Sequence, residues 1–160
     1  MDNVLHMIGM TNRAGRLKVG EEPVGEACQQ RACRLVMVAG DAAENTVRRV
    51  IHFAEAGQCL WIKIPYTKEE LGSVTGRQIC AMVAVTEIGM AQAIVNLLSQ
   101  KDKEQYGAVA EKLEIKAQRA AQRRQEQRSQ DKSLSQQGKK KKPYVPTRIK
   151  RAQKEQQQKK

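Results

Sequence analysis

The stretch Leu35-Val36-Met37-Val38-Ala39 is a run of five apolar residues without the alternation of a half-exposed strand. A run of this length and composition is typical of a β-strand that is buried on both faces. Residues 40–45 (Gly-Asp-Ala-Ala-Glu-Asn) then favour a turn into a helix, which Gly57 is predicted to end. Apolar residues recur at helical spacing between these points: Val47, Val50, Ile51 and Ala54. The stretch therefore predicts a buried strand followed by a helix.

The same alternation continues on both sides of this unit. Further strands are predicted at residues 17–19, 60–64 and 81–85, and further helices are predicted to end near residues 12, 30, 72 and 98. Thr67 and Glu70 have the spacing of a capping box, and Glu87 follows Thr86 where the last of these helices should start. Strands that alternate with helices predict an α/β fold, here a three-layer α/β/α sandwich with a small mixed sheet.

The charge is divided unevenly along the chain. Residues 1–100 contain ten basic and ten acidic side chains, whereas residues 101–160 contain 19 basic and 7 acidic ones. We interpret the division as one domain (1–100), a basic solvated helix (101–128) and a disordered lysine-rich tail (129–160). A concentrated cationic segment displaces counterions from nucleic acid. This favours nucleic-acid binding over the alternative that the tail only keeps the protein in solution.

The sequence contains no pattern that is typical of a catalytic site. It has no glycine-rich phosphate loop ending in GK[ST] and no GxSxG motif. Asp41 and Glu44 are close together, but Asp41 stands at a predicted strand-to-helix turn, where an aspartate usually accepts hydrogen bonds from backbone amides. We therefore predict no enzymatic activity, no catalytic residue and no cofactor.

The cysteines and histidines predict no metal site. The four cysteines form no CxxC pair, and we interpret them as free thiols that pack like small hydrophobic side chains: Cys28, Cys33, Cys59 and Cys80. Neither His6 nor His52 has a partner at the usual ligand spacing. The chain also has no apolar run of membrane-spanning length and no secretory signal at its amino terminus. We expect a soluble, cytoplasmic protein without a membrane partner.

Three cations precede a glycine at a predicted helix start. Arg13, Arg16 and Lys18 come before Gly20 in a stretch that is punctuated by glycine. A glycine at this point allows close approach of the backbone, and the free amides of a helix N-terminus attract phosphate. The alternative is that Gly20 only permits a turn with positive φ. These residues alone leave both interpretations open.

Five segments, taken in order, resemble one protein family. They are residues 12–20 (NRAGRLKVG), 40–46 (GDAAENT), 67–72 (TKEELG), 75–77 (TGR) and 83–86 (VAVT). In order and spacing they are similar to the L-seven-Ae-type ribosomal proteins, and specifically to their bacterial branch of small RNA-binding proteins. The resemblance covers roughly residues 3–98, and the chain from residue 101 onward lies outside it.

The resemblance implies a non-enzymatic protein that binds kink-turns, which are RNA helices bent at an internal loop flanked by sheared G·A pairs. In the family, the helix after the glycine enters the widened major groove, and the loop before the final strand covers a flipped-out nucleotide. Carried over by position, the first RNA-binding element comprises Gly20, Glu21, Glu22, Pro23 and Glu26, and the second comprises Gly76, Arg77, Gln78 and Ile79. Ile79 is expected to pack against the extruded base, and Arg16, Lys18 and Arg77 are expected to hold phosphates. Together with Arg13 of the basic stretch, the expected RNA-binding residues are Arg13, Arg16, Lys18, Gly20, Glu21, Glu22, Gly76, Arg77, Gln78 and Ile79. The partners implied are structured RNA (ribosomal RNA or another kink-turn RNA) and the ribosome, with the protein acting as a monomer.

One part of the first RNA-binding element differs from the family pattern. The family's strongest RNA binders carry an Asn-Glu pair and then a lysine, where this sequence has Glu22, Pro23 and Glu26. A glutamate accepts hydrogen bonds from guanine amino groups, whereas proline offers none and Glu26 replaces a cation. An alternative function therefore stays open: a protein-interaction module that has lost kink-turn selectivity, with a tail that binds polyanions nonspecifically.

Overall fold

The computed structural model describes residues 2–141, and the last part of the expected tail, residues 142–160, lies outside this range. The elements in chain order are α1 (Asn3–Arg13), β1 (Leu17–Val19), α2 (Glu21–Gln29), β2 (Leu35–Ala39), α3 (Glu44–Gly57), β3 (Leu60–Ile64), α4 (Lys68–Thr75), β4 (Met82–Val85), α5 (Ile88–Lys101) and α6 (Lys103–Lys141). Within the described residues, no helix combines the length and the apolar character needed to cross a membrane.

The four strands form one mixed sheet in the order β1-β4-β2-β3. β2 and β3 run parallel, with Leu35 opposite Leu60, and β4 runs antiparallel to both β2 and β1. The two central strands are buried along their whole length. The short strand expected at residues 17–19 is one edge of this sheet, and β3 is the other.

The side chains of β2 alternate between two apolar layers. Leu35, Met37 and Ala39 pack in a layer with α1, α4 and α5, while Val36 and Val38 pack in the opposite layer with α2 and α3. Full burial of one such large apolar side chain stabilises the fold by roughly 1.5–3 kcal/mol. Both faces of β2 therefore need apolar residues, which confirms the predicted three-layer α/β/α sandwich.

Helix starts follow the predicted capping chemistry. The Thr67 hydroxyl accepts a hydrogen bond from the Glu70 N–H at 3.1 Å, and the Glu87 carboxylate accepts from the first amides of α5 at 2.9 and 2.8 Å. Asp41 accepts from the backbone N–H of Lys68 at 2.8 Å. Asp41 therefore accepts a backbone hydrogen bond, as predicted, but from the first residue of α4 and not from α3, the helix that directly follows Asp41 in the sequence.

The predicted end of α3 is confirmed, because Gly57 is the last residue of the helix. The left-handed conformation that follows it belongs to Gln58, with φ of 53°. Gly57 is needed for another reason, because a Cβ atom on it would lie 2.9 Å from the carbonyl oxygen of Cys28. The glycine permits contact between α3 and the end of α2.

The helix α4 is longer than predicted. It continues past Gly72 to Thr75 and ends at Gly76, which has φ of 78°. A Cβ atom on Gly72 would lie 2.6 Å from the carbonyl oxygens of Arg77 and Gln78. The connection after α4 therefore folds back directly onto the helix, and only a glycine leaves room for it.

The first turns of α6 belong to the core, although residues 101–128 are predicted to be solvated. Tyr106 and Leu113 are 2% and 0% exposed and pack in the same layer as α1 and α5. The Tyr106 hydroxyl also donates a hydrogen bond to the Lys63 carbonyl oxygen at 2.8 Å. The compact unit accordingly extends to Arg119, and not to residue 100.

A second unit begins at Ala120. Its described side chains from residue 121 to residue 135 are all exposed. The helix α6 continues to Lys141, so the segment 129–141, which the sequence predicts to be disordered, is helical. The segment contains the helix formers Gln, Lys and Leu alongside three serines, and it continues a helix whose preceding residues are rich in Ala, Gln, Glu, Lys and Arg.

Candidate nucleic-acid interface

Gly20 forms the junction between β1 and α2. It is the N-cap residue of α2 and has φ of 95° and ψ of 167°, a combination that is essentially restricted to glycine. Its N–H donates to the carbonyl oxygen of Met82 at 3.2 Å, and its carbonyl accepts from the Val24 N–H at 3.1 Å. The turn is thus fixed to β4 on one side and to the first turn of α2 on the other.

The α4–β4 loop lies at the same end of the sheet. Its beginning is held by the Arg77 N–H, which donates to the Gly72 carbonyl at 2.9 Å, and its end by the Cys80 N–H, which donates to the Lys68 carbonyl at 2.9 Å. Between these anchors the side chains of residues 77–79 are exposed. Ile79 is 60% exposed, so the loop presents a large apolar side chain to solvent.

The structure brings Gly20 and Arg77 together. A Cβ atom on Gly20 would lie 3.0 Å from Nη1 of Arg77 and 3.7 Å from its Cζ. The absent side chain therefore leaves space for the guanidinium, which lies over the start of α2. Two segments that are more than 50 residues apart in the sequence form one surface, which we call the Gly20–Arg77 surface.

The first turn of α2 carries acidic side chains beside this surface. Glu21 forms an ion pair with Arg49 of α3, in which Nη1 of Arg49 lies 2.9 and 2.7 Å from the two carboxylate oxygens. Both side chains are about half exposed, at 48% and 58%. Glu22 and Glu26 are exposed as well, and Pro23 is the third residue of the helix. Arg49 was not among the residues expected from the sequence.

The other predicted cations do not all reach the Gly20–Arg77 surface. Lys18 is exposed on the edge strand β1, two residues before Gly20. Arg16 precedes that strand, and its carbonyl accepts hydrogen bonds from Thr86, beyond the far end of β4. Four residues of strand span about 13 Å. The backbone of Arg16 is therefore well separated from Gly20.

Arg13 lies in a different part of the structure from Gly20 and Arg77. It is exposed at the end of α1 and lines a small cleft between α1 and α4, together with Ser73 and Val74. The expected RNA-binding residues thus fall into three groups: those at Gly20 and the α4–β4 loop, those along β1, and Arg13 alone.

The fold and the site define a small α/β protein in which Arg77 of the α4–β4 loop packs over Gly20 at the start of α2. The chain is 33% identical over 96 residues to the RNA-binding protein YlxQ of Bacillus subtilis, and the match covers 58% of this chain and 91% of the relative. The chain belongs to the family of YlxQ. No family model matches it.

A solved structure supports the fold. A Bacillus halodurans protein, described as having unknown function, superposes with a TM-score of 0.57 at 23% sequence identity. The superposition covers 62% of this chain and 99% of the other. At this identity the likeness bears on the architecture alone.

Proposed function

We propose that this chain is a non-enzymatic RNA-binding protein of ribosomal type that docks on kink-turn-like RNA through the Gly20–Arg77 surface. The observation that carries the proposal is the position of the Arg77 guanidinium over the N-terminus of α2. Membership in the family of a protein named for RNA binding supports the same function. The resemblance to L-seven-Ae-type proteins supplies the choice of a kinked RNA.

The surface has the chemistry that such an RNA requires. The N-terminus of a helix carries partial positive charge, and a guanidinium binds phosphate oxygens with two parallel hydrogen bonds. Ile79 offers an exposed apolar side chain next to Arg77, on which an unstacked base could pack. Lys18 adds a cation on the adjoining edge strand.

The acidic residues of α2 are compatible with RNA binding at the Gly20–Arg77 surface. The Arg49 guanidinium neutralises Glu21 and holds its carboxylate towards α3. Glu22 is free of such a pairing among the described ion pairs and is exposed at the second position of the helix. Its carboxylate is suited to accept hydrogen bonds from guanine amino groups.

The second unit is proposed to add phosphate contacts. Its described helical part carries four exposed cations against two anions: Arg123, Arg124, Arg128 and Lys132, with Glu126 and Asp131. Such contacts contribute affinity and little sequence choice, because every phosphate is alike. The whole protein is proposed to act as a monomer in the cytoplasm, and free thiols in the described residues suit a reducing compartment.

The salt dependence of RNA binding tests which residues touch phosphate. We expect Arg77→Ala and Lys18→Ala each to reduce the slope of log affinity against log salt by about one. Lys63→Ala is a matched control, because Lys63 is also an exposed lysine on an edge strand, but on the opposite edge of the sheet. Filter binding to a kink-turn RNA over a range of salt concentrations gives the slopes.

Other outcomes would redirect the proposal. Unchanged slopes for Arg77→Ala and Lys18→Ala would remove both residues from the interface. Equal competition by heparin and by every RNA shape would favour the alternative that the α/β unit binds a protein partner. The exposed carboxylates of α2 are the feature that favours that alternative.

A further inference from the structure

Three of the four cysteines meet in the fold, although their spacing in the sequence shows no ligand pattern. Cys28 lies in the last turn of α2, Cys33 in the connection to β2, and Cys59 directly before β3. Their three sulfur atoms all lie within 4.8 Å of one another. Cys28 and Cys33 are buried, and Cys59 is half-buried, which leaves one side of the cluster accessible to solvent.

The backbone around this cluster is unusual. Arg31 and Gln58, with φ of 55° and 53°, are the two non-glycine residues with positive φ in the described part of the chain. A left-handed conformation costs such a residue about 1–2 kcal/mol. Gln58 is the C-cap of α3, and Arg31 follows Gln30, the C-cap of α2. Both lie in the turns that lead to Cys33 and Cys59, which meet Cys28.

We propose that Cys28, Cys33 and Cys59 bind one Zn²⁺ ion through their three sulfur atoms, with a water molecule as the fourth ligand. Zinc binds thiolate sulfur at about 2.3 Å in a tetrahedral arrangement, which places the sulfurs about 3.8 Å apart. The cluster needs only a small contraction to reach that geometry. Among the described residues, no carboxylate or imidazole joins the group, and an all-sulfur donor set selects soft metals over Mg²⁺ or Ca²⁺.

Zinc is bound by thiolate sulfur, so binding of the ion would release the thiol protons of the three cysteines.

The zinc site lies away from the proposed RNA-binding surface. In the sheet, Leu35 pairs with Val85 and Val38 with Met82. The cysteines lie at the end marked by Leu35, and Gly20 lies at the end marked by Met82. The ion would therefore join the ends of α2 and α3 to the start of β3, and a failure of this proposal leaves the RNA-binding proposal untouched.

Cobalt substitution in the full chain tests the site. We expect the chain, purified under reducing and anaerobic conditions, to bind one Co²⁺ with the intense thiolate-to-cobalt absorption bands, and Zn²⁺ to abolish these bands. Cys59→Ser should weaken affinity by at least about 100-fold, the upper end of what loss of an outer-shell partner costs. Cys80→Ser is the matched control and should bind as the parent does, because Cys80 instead contacts the Met82 carbonyl.

A second measurement needs no variant. With Zn²⁺ bound, iodoacetamide should modify Cys59 at least ten times more slowly than without metal, as read by mass spectrometry. The proposal is overturned if cobalt gives no thiolate bands, if Cys59→Ser binds as tightly as the parent, or if Cys80→Ser loses affinity equally. Formation of a Cys33–Cys59 disulfide in peroxide at the same rate with and without Zn²⁺ would also overturn it, because the thiols would then be free.

Discussion

Residues 1–119 contain 15 basic and 14 acidic side chains and pack two apolar layers around a sheet, whereas residues 120–160 contain 14 basic and 3 acidic side chains. None of the side chains described in the second unit is buried. A nearly neutral unit can present a defined surface but attracts RNA weakly. A cationic unit without a core attracts any polyanion but distinguishes few of them. Selectivity and charge-driven affinity can therefore be tested separately in this chain.

The largest effect on stability is expected from a substitution in the part of α6 that packs in the compact unit. Leu113→Ala should lower the free energy of unfolding by about 3 kcal/mol, because it leaves a cavity in a fully buried layer. Leu134→Ala, on the same helix but 64% exposed, should change it by less than about 0.5 kcal/mol. Urea denaturation of the full chain measures both values, and equal losses would contradict the boundary between the two units.

Gly20→Ala should separate the two contributions to binding. The substitution forces an L-residue to φ of 95° and brings a Cβ within 3.0 Å of Arg77, which should cost about 2 kcal/mol of stability. We expect a loss of preference for kinked RNA with duplex affinity retained, since the second unit is unchanged. Gly15→Ala is the control, because φ there is 73° but no atom lies within 4 Å of the added Cβ. If Gly20→Ala and Gly15→Ala lose the preference for kinked RNA equally, the loss comes from backbone strain and not from the contact between Gly20 and Arg77.

A smaller effect, about 1 kcal/mol, is expected from an acid-sensitive contact in the compact unit. Asp2 caps α1, accepts a hydrogen bond from the Tyr66 hydroxyl and pairs with Lys101. Burial alone would raise the pKa of Asp2, but the hydrogen bonds from Lys101, Tyr66 and the Val4 N–H outweigh it and lower the pKa from 3.8 to about 2. The stabilisation is therefore present above the ordinary carboxyl pKa and is lost as the pH falls towards 2.

Asp2→Asn measures this contribution, because the amide resembles the protonated acid. The parent should be more stable than the variant by about 1 kcal/mol near neutral pH, allowing for solvent screening, and the difference should shrink below the ordinary carboxyl pKa and vanish only below about pH 2. The stability difference between parent and variant should depend on pH in the same way in the full chain and in residues 1–119, because both ion pairs found among the described residues lie in the compact unit. A difference that stays constant with pH would assign the effect to helix capping alone.

Local patterns predicted most of the fold. The buried strand at Leu35–Ala39, the Thr67 cap and the helix start at Glu87 each depend on neighbours within a few residues, and each is confirmed. The core positions of Tyr106 and Leu113 were missed, because a polar, helix-forming segment gives no local sign of the layer that receives two of its side chains. The prediction of a domain ending at residue 100 depended on charge, and charge does not report burial.

The candidate site was predictable only in part, for the same reason. Gly20 was chosen from the basic stretch before it and from the resemblance, and Arg77 from the resemblance alone, but their contact depends on sheet topology that no pattern near either residue contains. The ion pair between Glu21 and Arg49 likewise joins positions more than 25 residues apart, and so does the approach of Cys59 to Cys28 and Cys33. Spacing rules detect ligands on one helix or loop, and they do not detect ligands that the fold assembles.

The most direct test is a titration of residues 1–119 and of the full chain against a kink-turn RNA and a matched straight duplex, near physiological salt. The cut at residue 119, rather than at residue 100, keeps Tyr106 and Leu113 in the core. We predict that residues 1–119 bind more weakly than the full chain but prefer the kink-turn by ten-fold or more, about 1.4 kcal/mol. Equal affinity of residues 1–119 for the two RNAs would contradict the claim that the Gly20–Arg77 surface recognises kinked RNA.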